Sequence, residues 1–217
     1  MSAPPVAPLS TGDAALPRWR AAATVGVVAW TALVHAHPPF FFALASVFCA
    51  GWLAVTWRAM GRWRRPPPRL SLPDAAWSVA QALVLYAGAR AFLWAFCGGF
   101  TDALCEPLHA VYATFGTGSV GTALALVLLL VPAEEWFWRG LVQGALRARL
   151  GRWGAVAGSA VLSSLLLLAF GEPLLALAAL PTSLAWGVLA EWRGTPWASW
   201  LSHALWDVLI VVLLPAT

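Results

Sequence analysis

Three ionisable side chains, Glu134, Glu135 and Arg139, stand at the end of a run that is otherwise Ala, Leu and Val, in the stretch Pro132-Ala-Glu-Glu-Trp-Phe-Trp-Arg-Gly140. An ionised side chain at the centre of a membrane helix costs roughly 2.5 to 3.5 kcal/mol even on insertion scales, so each needs a partner or a task. Residues four apart share a helix face, which lets Glu135 and Arg139 pair, whereas Glu134 is rotated about 100° from Glu135. One carboxylate is therefore left unneutralised. In a water-poor site such a group suits general base work on a water near neutral pH. The alternative is that all three form a folding pair network at the membrane interface.

A second constellation lies in Ser202-His203-Ala-Leu-Trp-Asp207. His203 and Asp207 are again four apart, so the aspartate can accept a hydrogen bond from the imidazole and fix its tautomer. Depth links the two pairs. A helix entering near Ser119 carries Glu134 roughly 22 Å into the bilayer at 1.5 Å per residue. This leaves about 8 Å to the far edge of a 30 Å core. A helix entering from that far side near Pro196 places His203 roughly 10 Å deep by the same rise. The matching depths make a joint site credible in one half of the bilayer.

The elements that must hold these residues are membrane helices. Of 217 residues, 61% are hydrophobic and 10% charged, against about 25% charged in an ordinary soluble domain. All 13 basic residues are arginine, and the formal charge is +4. Because the arginines other than Arg90 and Arg139 fall in short connections between apolar runs, they are read as topology determinants and not as a nucleic-acid footprint. About seven segments approach the 20 apolar residues a span needs, at 19–36, 40–57, 75–99, 119–142, 153–170, 174–192 and 196–214. The connections holding Arg18 and Arg20, Arg58 to Arg69, Arg147 to Arg152, and Arg193 alternate with connections that hold no arginine. That alternation predicts an all-α, polytopic bundle of about seven spans with the N-terminus cytoplasmic.

Four regions follow: a Pro- and Ala-rich N-terminal segment (1–18), a transmembrane hairpin (19–57), a basic Pro-rich cytoplasmic linker (58–73) and a catalytic-type core (74–217). The first segment lacks a basic n-region followed directly by an apolar stretch, so it is expected to be retained. Trp19, Trp57, Trp63, Trp77, Trp153, Trp192 and Trp197 fall at span ends and read as interfacial anchors. His35 and His37 flank a turn, and Asp102, Glu106 and His109 lie in a loop with no metal-ligand spacing. Cys49, Cys97 and Cys105 read as inert small residues, with a Cys97–Cys105 disulfide unsupported. Arg90 within the third span calls for an acidic partner or a polar cavity. Glu172 falls near the opposite surface from the paired site and is assigned to a turn.

The two constellations together carry a resemblance. Glu134-Glu135-Trp-Phe-Trp-Arg139 resembles the EExxxR motif of the CAAX-processing and bacteriocin-processing (CPBP) intramembrane endopeptidases, relatives of the Rce1 prenyl-protein protease. Arg193-Gly-Thr-Pro through His203-Ala-Leu-Trp-Asp207 is similar to that family's last motif, HxxxN or HxxxD, with its Gly-Thr lead-in. The similarity spans about residues 119–214. It implies that Glu134 activates water for peptide hydrolysis, that His203 stabilises the oxyanion, and that Glu135 and Arg139 shape the site. Asp207, which cannot donate a hydrogen bond when ionised, is assigned to orienting His203. The family's middle motif, FxxxH, has no counterpart, since no histidine lies between Arg139 and His203. Ser163, Leu167, Gly171 or Glu172 takes its place, depending on register. With so few ligands left, a metal-free glutamic mechanism is favoured over zinc, and no cofactor is expected.

The expected function is therefore an intramembrane endopeptidase acting on lipid-associated or C-terminally anchored proteins in sorting or maturation, with the myxosortase branch as a narrower version. The expected partners are a membrane protein or lipidated peptide substrate and membrane lipid, without nucleic acid. The expected location is the bacterial inner membrane. The alternatives are an inactive family member serving as an immunity or scaffold protein, and a small transporter using Arg90, Glu134 and His203 as a polar pathway.

Overall fold

The computed structural model describes residues 16–59, 70–97, 119–170 and 173–213. The expected N-terminal segment, most of the basic linker, the loop carrying Cys105, Asp102, Glu106 and His109, and the Gly171-Glu172 turn lie outside the described residues. So does the Cys97 side chain.

Apolar composition over helical lengths gives helices throughout, and no strand occurs among the described residues. The elements are α1 (Leu16–Ala36), α2 (Phe41–Ala59), α3 (Leu72–Cys97), a long helical run α4 (Val120–Leu166), α5 (Pro173–Arg193) and α6 (Pro196–Asp207), which continues as a π turn over Val208–Leu213. Five helices among the described residues are long and apolar enough to cross a bilayer: α2, α3, α4, α5 and α6 with its extension. The chain is an integral membrane protein. α1 contributes a shorter apolar stretch, Ala23–Ala36.

α4 covers two of the seven expected spans. It is 47 residues long yet not straight, because Ser159 Oγ donates to the Trp138 carbonyl at 3.0 Å. Twenty-one residues along a straight helix would separate them by about 31 Å. The chain folds back around Gly151, whose φ of 69° and ψ of −176° are outside the helical region and are accessible to glycine without a Cβ penalty. The arms before and after Gly151 are antiparallel.

Pro132 accounts for an irregularity in the first arm. It has no N–H to give to the Leu128 carbonyl, and the turn just before it, Leu126–Leu130, widens to a π turn. The Val127 carbonyl in that turn accepts from Trp200 Nε1 at 3.0 Å, tying α4 to α6. A second π turn, Trp136–Val142, follows the two glutamates. They therefore sit in a single α-helical turn, Val131–Glu135, between two wide ones.

The α5–α6 connection is dictated residue by residue. Gly194 at φ 69° ends α5 with a left-handed residue, and the Thr195 N–H returns to the Ala190 carbonyl at 3.1 Å. Thr195 then caps α6, its hydroxyl accepting from the Trp197 N–H at 3.3 Å, and Pro196 occupies the first turn where no N–H is missed. The Gly-Thr-Pro sequence is thus a stop and a start in three residues. At the N-terminus of α3, Ser71 and Asp74 cap each other reciprocally, and Arg193 Nε donates to Asp74 Oδ1. Glu191 pairs with Arg147 at 2.8 Å and Arg152 at 3.1 Å. The arginine-bearing connections after α5 and at the Gly151 fold are thereby brought to one end of the bundle.

α3 packs on α6 and α5 through small and polar residues. Ser78 Oγ donates to the Ala198 carbonyl at 2.8 Å, and Gln81 Nε2 to the Ala185 carbonyl at 2.9 Å. Side-chain hydrogen bonds between helices replace the hydrophobic driving force that lipid does not supply. α1 and α2 pack against the first arm of α4, where Val34, Phe41, Ala45, Cys49, Leu126, Leu130 and Ala133 form a buried cluster. His37 and the two prolines make the α1–α2 turn, as expected of loop residues, whereas His35 is not in the loop but exposed in the last turn of α1, which runs on to Ala36. Arg90 lies on an exposed face of α3.

Candidate functional site

Glu135 is the centre of the buried polar cluster. It is fully buried, and its Oε1 lies 2.9 Å from His203 Nδ1 and 3.5 Å from Arg139 Nη1. The i,i+4 pairing of Glu135 with Arg139 is present as the helical spacing requires. Arg139 is anchored a second time, Nη2 donating to the Ser183 carbonyl of α5 at 3.0 Å. Two motifs 68 residues apart in sequence thus meet at one carboxylate oxygen.

The contact that orients His203 differs from the one expected. Asp207 Oδ1 is 3.7 Å from Nε2, too far for a hydrogen bond. Glu135 holds the ring through Nδ1 instead, because a buried carboxylate on the facing helix reaches the imidazole more directly than a side chain one turn along the same helix. If Nδ1–H donates to Glu135, a neutral ring offers only a lone pair at Nε2; donation from Nε2 belongs to the imidazolium. That cation has a carboxylate beside each nitrogen, Glu135 at Nδ1 and Asp207 at Nε2.

Trp186 of α5, which the sequence reading passed over, completes the cluster. Its ring stacks on His203 with centroids 3.6 Å apart and planes 17° apart. The Arg139 guanidinium lies 5.7 Å from the same indole, within cation–π range. The only signal available beforehand was that Trp186 falls mid-span, whereas the other tryptophans singled out lie at span ends. Of those, Trp77 and Trp192 remain half-exposed and touch edge to face at 4.9 Å. Trp197 packs edge to face on the buried Trp136 at 4.7 Å.

Glu134 faces another way. Among the described residues its carboxylate makes no hydrogen bond or ion pair. It lines a cavity of about 40 Å³ together with Gly26, Trp30, Phe48, Cys49, Trp52 and Phe137. One water needs roughly 10 to 15 Å³ measured this way, so the space beside Glu134 can take two or three.

Of the positions offered for the middle motif, Ser163 is buried and donates to Ser183 Oγ at 3.1 Å, one residue's backbone away from the carbonyl that anchors Arg139. Leu167 lies in a 3₁₀ turn, Leu167–Phe170. Gly171 and Glu172 are outside the described residues. Among the described residues no group of three His, Cys, Asp or Glu side chains could hold a metal ion.

No curated protein and no solved structure matches the chain. The model of one family does match, over residues 116–209, a segment that takes in α4, α5, α6 and both motifs. The matching model is that of the Type II CAAX prenyl endopeptidase Rce1-like family, and it is to this model that the segment is similar.

Proposed function

We propose that the protein is an intramembrane endopeptidase of the glutamic type, cleaving a peptide bond close to the membrane in lipid-associated or C-terminally anchored proteins. The observation that carries this reading is the 2.9 Å contact between Glu135 and His203, which joins the EExxxR and HxxxD stretches into one buried cluster with a free carboxylate next to it. The Rce1-like domain supports a peptidase in general.

In this mechanism Glu134 takes a proton from a water in the adjoining cavity, and the hydroxide attacks the scissile carbonyl carbon. Negative charge develops on the carbonyl oxygen, where His203 Nε2–H donates to it. Protonated Glu134 then returns its proton to the leaving nitrogen as the C–N bond breaks, giving one carboxylate and one amine. Glu135 and Arg139 do not touch the reacting atoms; they fix the imidazole. Asp207 balances the charge at Nε2. Tail-bearing substrates of the myxosortase kind are the narrower form of the proposal, suggested by the altered middle motif and the Ala-, Arg- and Trp-rich composition.

The test is loss of processing without loss of protein. Glu134→Ala and His203→Ala each abolish cleavage of the native substrates while the variants accumulate in the membrane. Full processing by Glu134→Ala contradicts the mechanism. The absence of any histidine between Arg139 and His203 favours one competing reading, an inactive member acting as a scaffold; normal cellular function of a Glu134→Gln, His203→Ala double variant would establish it.

A further inference from the structure

The cavity that Glu134 faces is only partly built from the Rce1-like segment. One side, Ala133, Phe137, Trp138 and Leu166, belongs to residues 116–209. The other side comes from α1 and α2: Gly26, Val27 and Trp30 from the first, Phe48, Cys49 and Trp52 from the second. Glu134 and Glu135, adjacent in sequence, therefore look into different surroundings. Glu135 faces α5 and α6, and Glu134 faces the N-terminal hairpin.

The hairpin wall is aromatic and held in place. Trp30 stacks on Phe48 at 5.7 Å, Phe48 on Trp52 at 5.9 Å, and Trp52 meets Phe137 of α4 at 5.1 Å. Trp52 can lie there because α1 has a glycine at position 26, where any Cβ would run into the indole ring. An added side chain at Gly26 must displace the wall. Cys49, buried on the same side, brings a small thiol, so apart from Glu134 the lining side chains are apolar or weakly polar.

We propose that the α1–α2 hairpin completes the substrate site and selects a small side chain, Gly, Ala or Ser, at the substrate residue next to the scissile bond. The volume sets the limit. About 40 Å³ takes one water and a methyl-sized group, and an aromatic ring needs a cavity nearer 150 Å³. The apolar lining rejects an acidic side chain, which would be buried beside Glu134 without a cationic partner, and the volume is too small for the long stem of Lys or Arg. The hairpin is then a specificity element outside the family-matching segment, and Trp52 determines how large a residue enters. This inference rests on the peptidase reading of Glu134.

The experiment compares the termini of membrane proteins in cells carrying the wild-type chain, Glu134→Gln, Trp52→Ala and Cys49→Leu. Wild-type-dependent, Glu134-dependent termini flanked on one side by Gly, Ala or Ser are expected. Trp52→Ala should add cuts beside Leu, Ile or Phe, raising their share at least tenfold. Cys49→Leu, which fills the cavity and provides a second variant if Trp52→Ala does not accumulate, should lose cuts at Ala and Ser before those at Gly. Glu134-dependent cuts that occur equally beside Phe and Ala in the wild type, or a cut pattern unmoved by both substitutions, overturn the hairpin's role and leave the peptidase reading standing. Termini identical in wild type and Glu134→Gln overturn the peptidase reading and this inference with it.

Discussion

Replacing Arg139 by methionine isolates the electrostatic logic of the cluster. Glu135 has no exposed surface, and its Oε1 is shared between Arg139 at 3.5 Å and His203 at 2.9 Å. Methionine roughly keeps the stem of the side chain, removes the guanidinium from Glu135, and deprives the Ser183 carbonyl of its donor. Breaking a buried ion pair from one side costs up to about 3 to 5 kcal/mol, because the remaining charge stays desolvated, and the His203 imidazolium still beside Glu135 offsets part of that. Such a loss is a large part of a total stability of about 5 to 15 kcal/mol. Adding Glu135→Gln removes the stranded charge while keeping an oxygen for His203, so the double variant should recover most of the loss and fall within about 2 kcal/mol of the wild type. Reversible unfolding in detergent micelles, followed by helical circular dichroism and by the fluorescence of the protein's 15 tryptophans, measures the cycle. A single-variant loss below about 1 kcal/mol, or a double variant as unstable as the sum of the singles, would refute the reasoning.

Trp186→Ala should lower kcat by roughly ten- to a hundredfold with little change in KM, since it frees the His203 ring to rotate, and Trp186→Phe should restore much of the rate by keeping a stacking face; steady-state kinetics on a reconstituted substrate checks both. Gly194→Ala should cost about 1 kcal/mol or more, because its φ of 69° is strained for any residue with a Cβ, and thermal unfolding reads it. Ser78→Ala should cost about 1 kcal/mol by removing the hydrogen bond from α3 to the Ala198 carbonyl, with activity unchanged at a temperature where the variant is folded.

What could be read from the sequence was what local rules decide. The pairing of Glu135 with Arg139 follows from helical spacing, the α5–α6 turn from Gly194-Thr195-Pro196, and the meeting of the two motifs from apolar run lengths and a fixed rise per residue. The spans 119–142 and 153–170 exist, but as arms of one helical run, because only Gly151 interrupts it. Local rules failed where a residue's surroundings depend on a distant helix. Asp207 shares a helix face with His203, yet Glu135 from across the bundle lies closer. The stacking of Trp186 on His203 depends on how α5 and α6 are rotated about their axes, which no spacing encodes. The same holds for Glu134. Its freedom from Arg139 followed from a 100° rotation, but the hairpin it faces could be known only from packing.

The claim that Glu134 activates water is tested most directly by cleavage in isotopically labelled water. Purified protein in liposomes, given a substrate identified by its shifted terminus, should place one ¹⁸O from H₂¹⁸O in the new carboxylate at each single-turnover cleavage, and Glu134→Gln should do neither the cleavage nor the labelling. Cleavage without ¹⁸O in the product, or labelled product formed at the wild-type rate by Glu134→Gln, would contradict it.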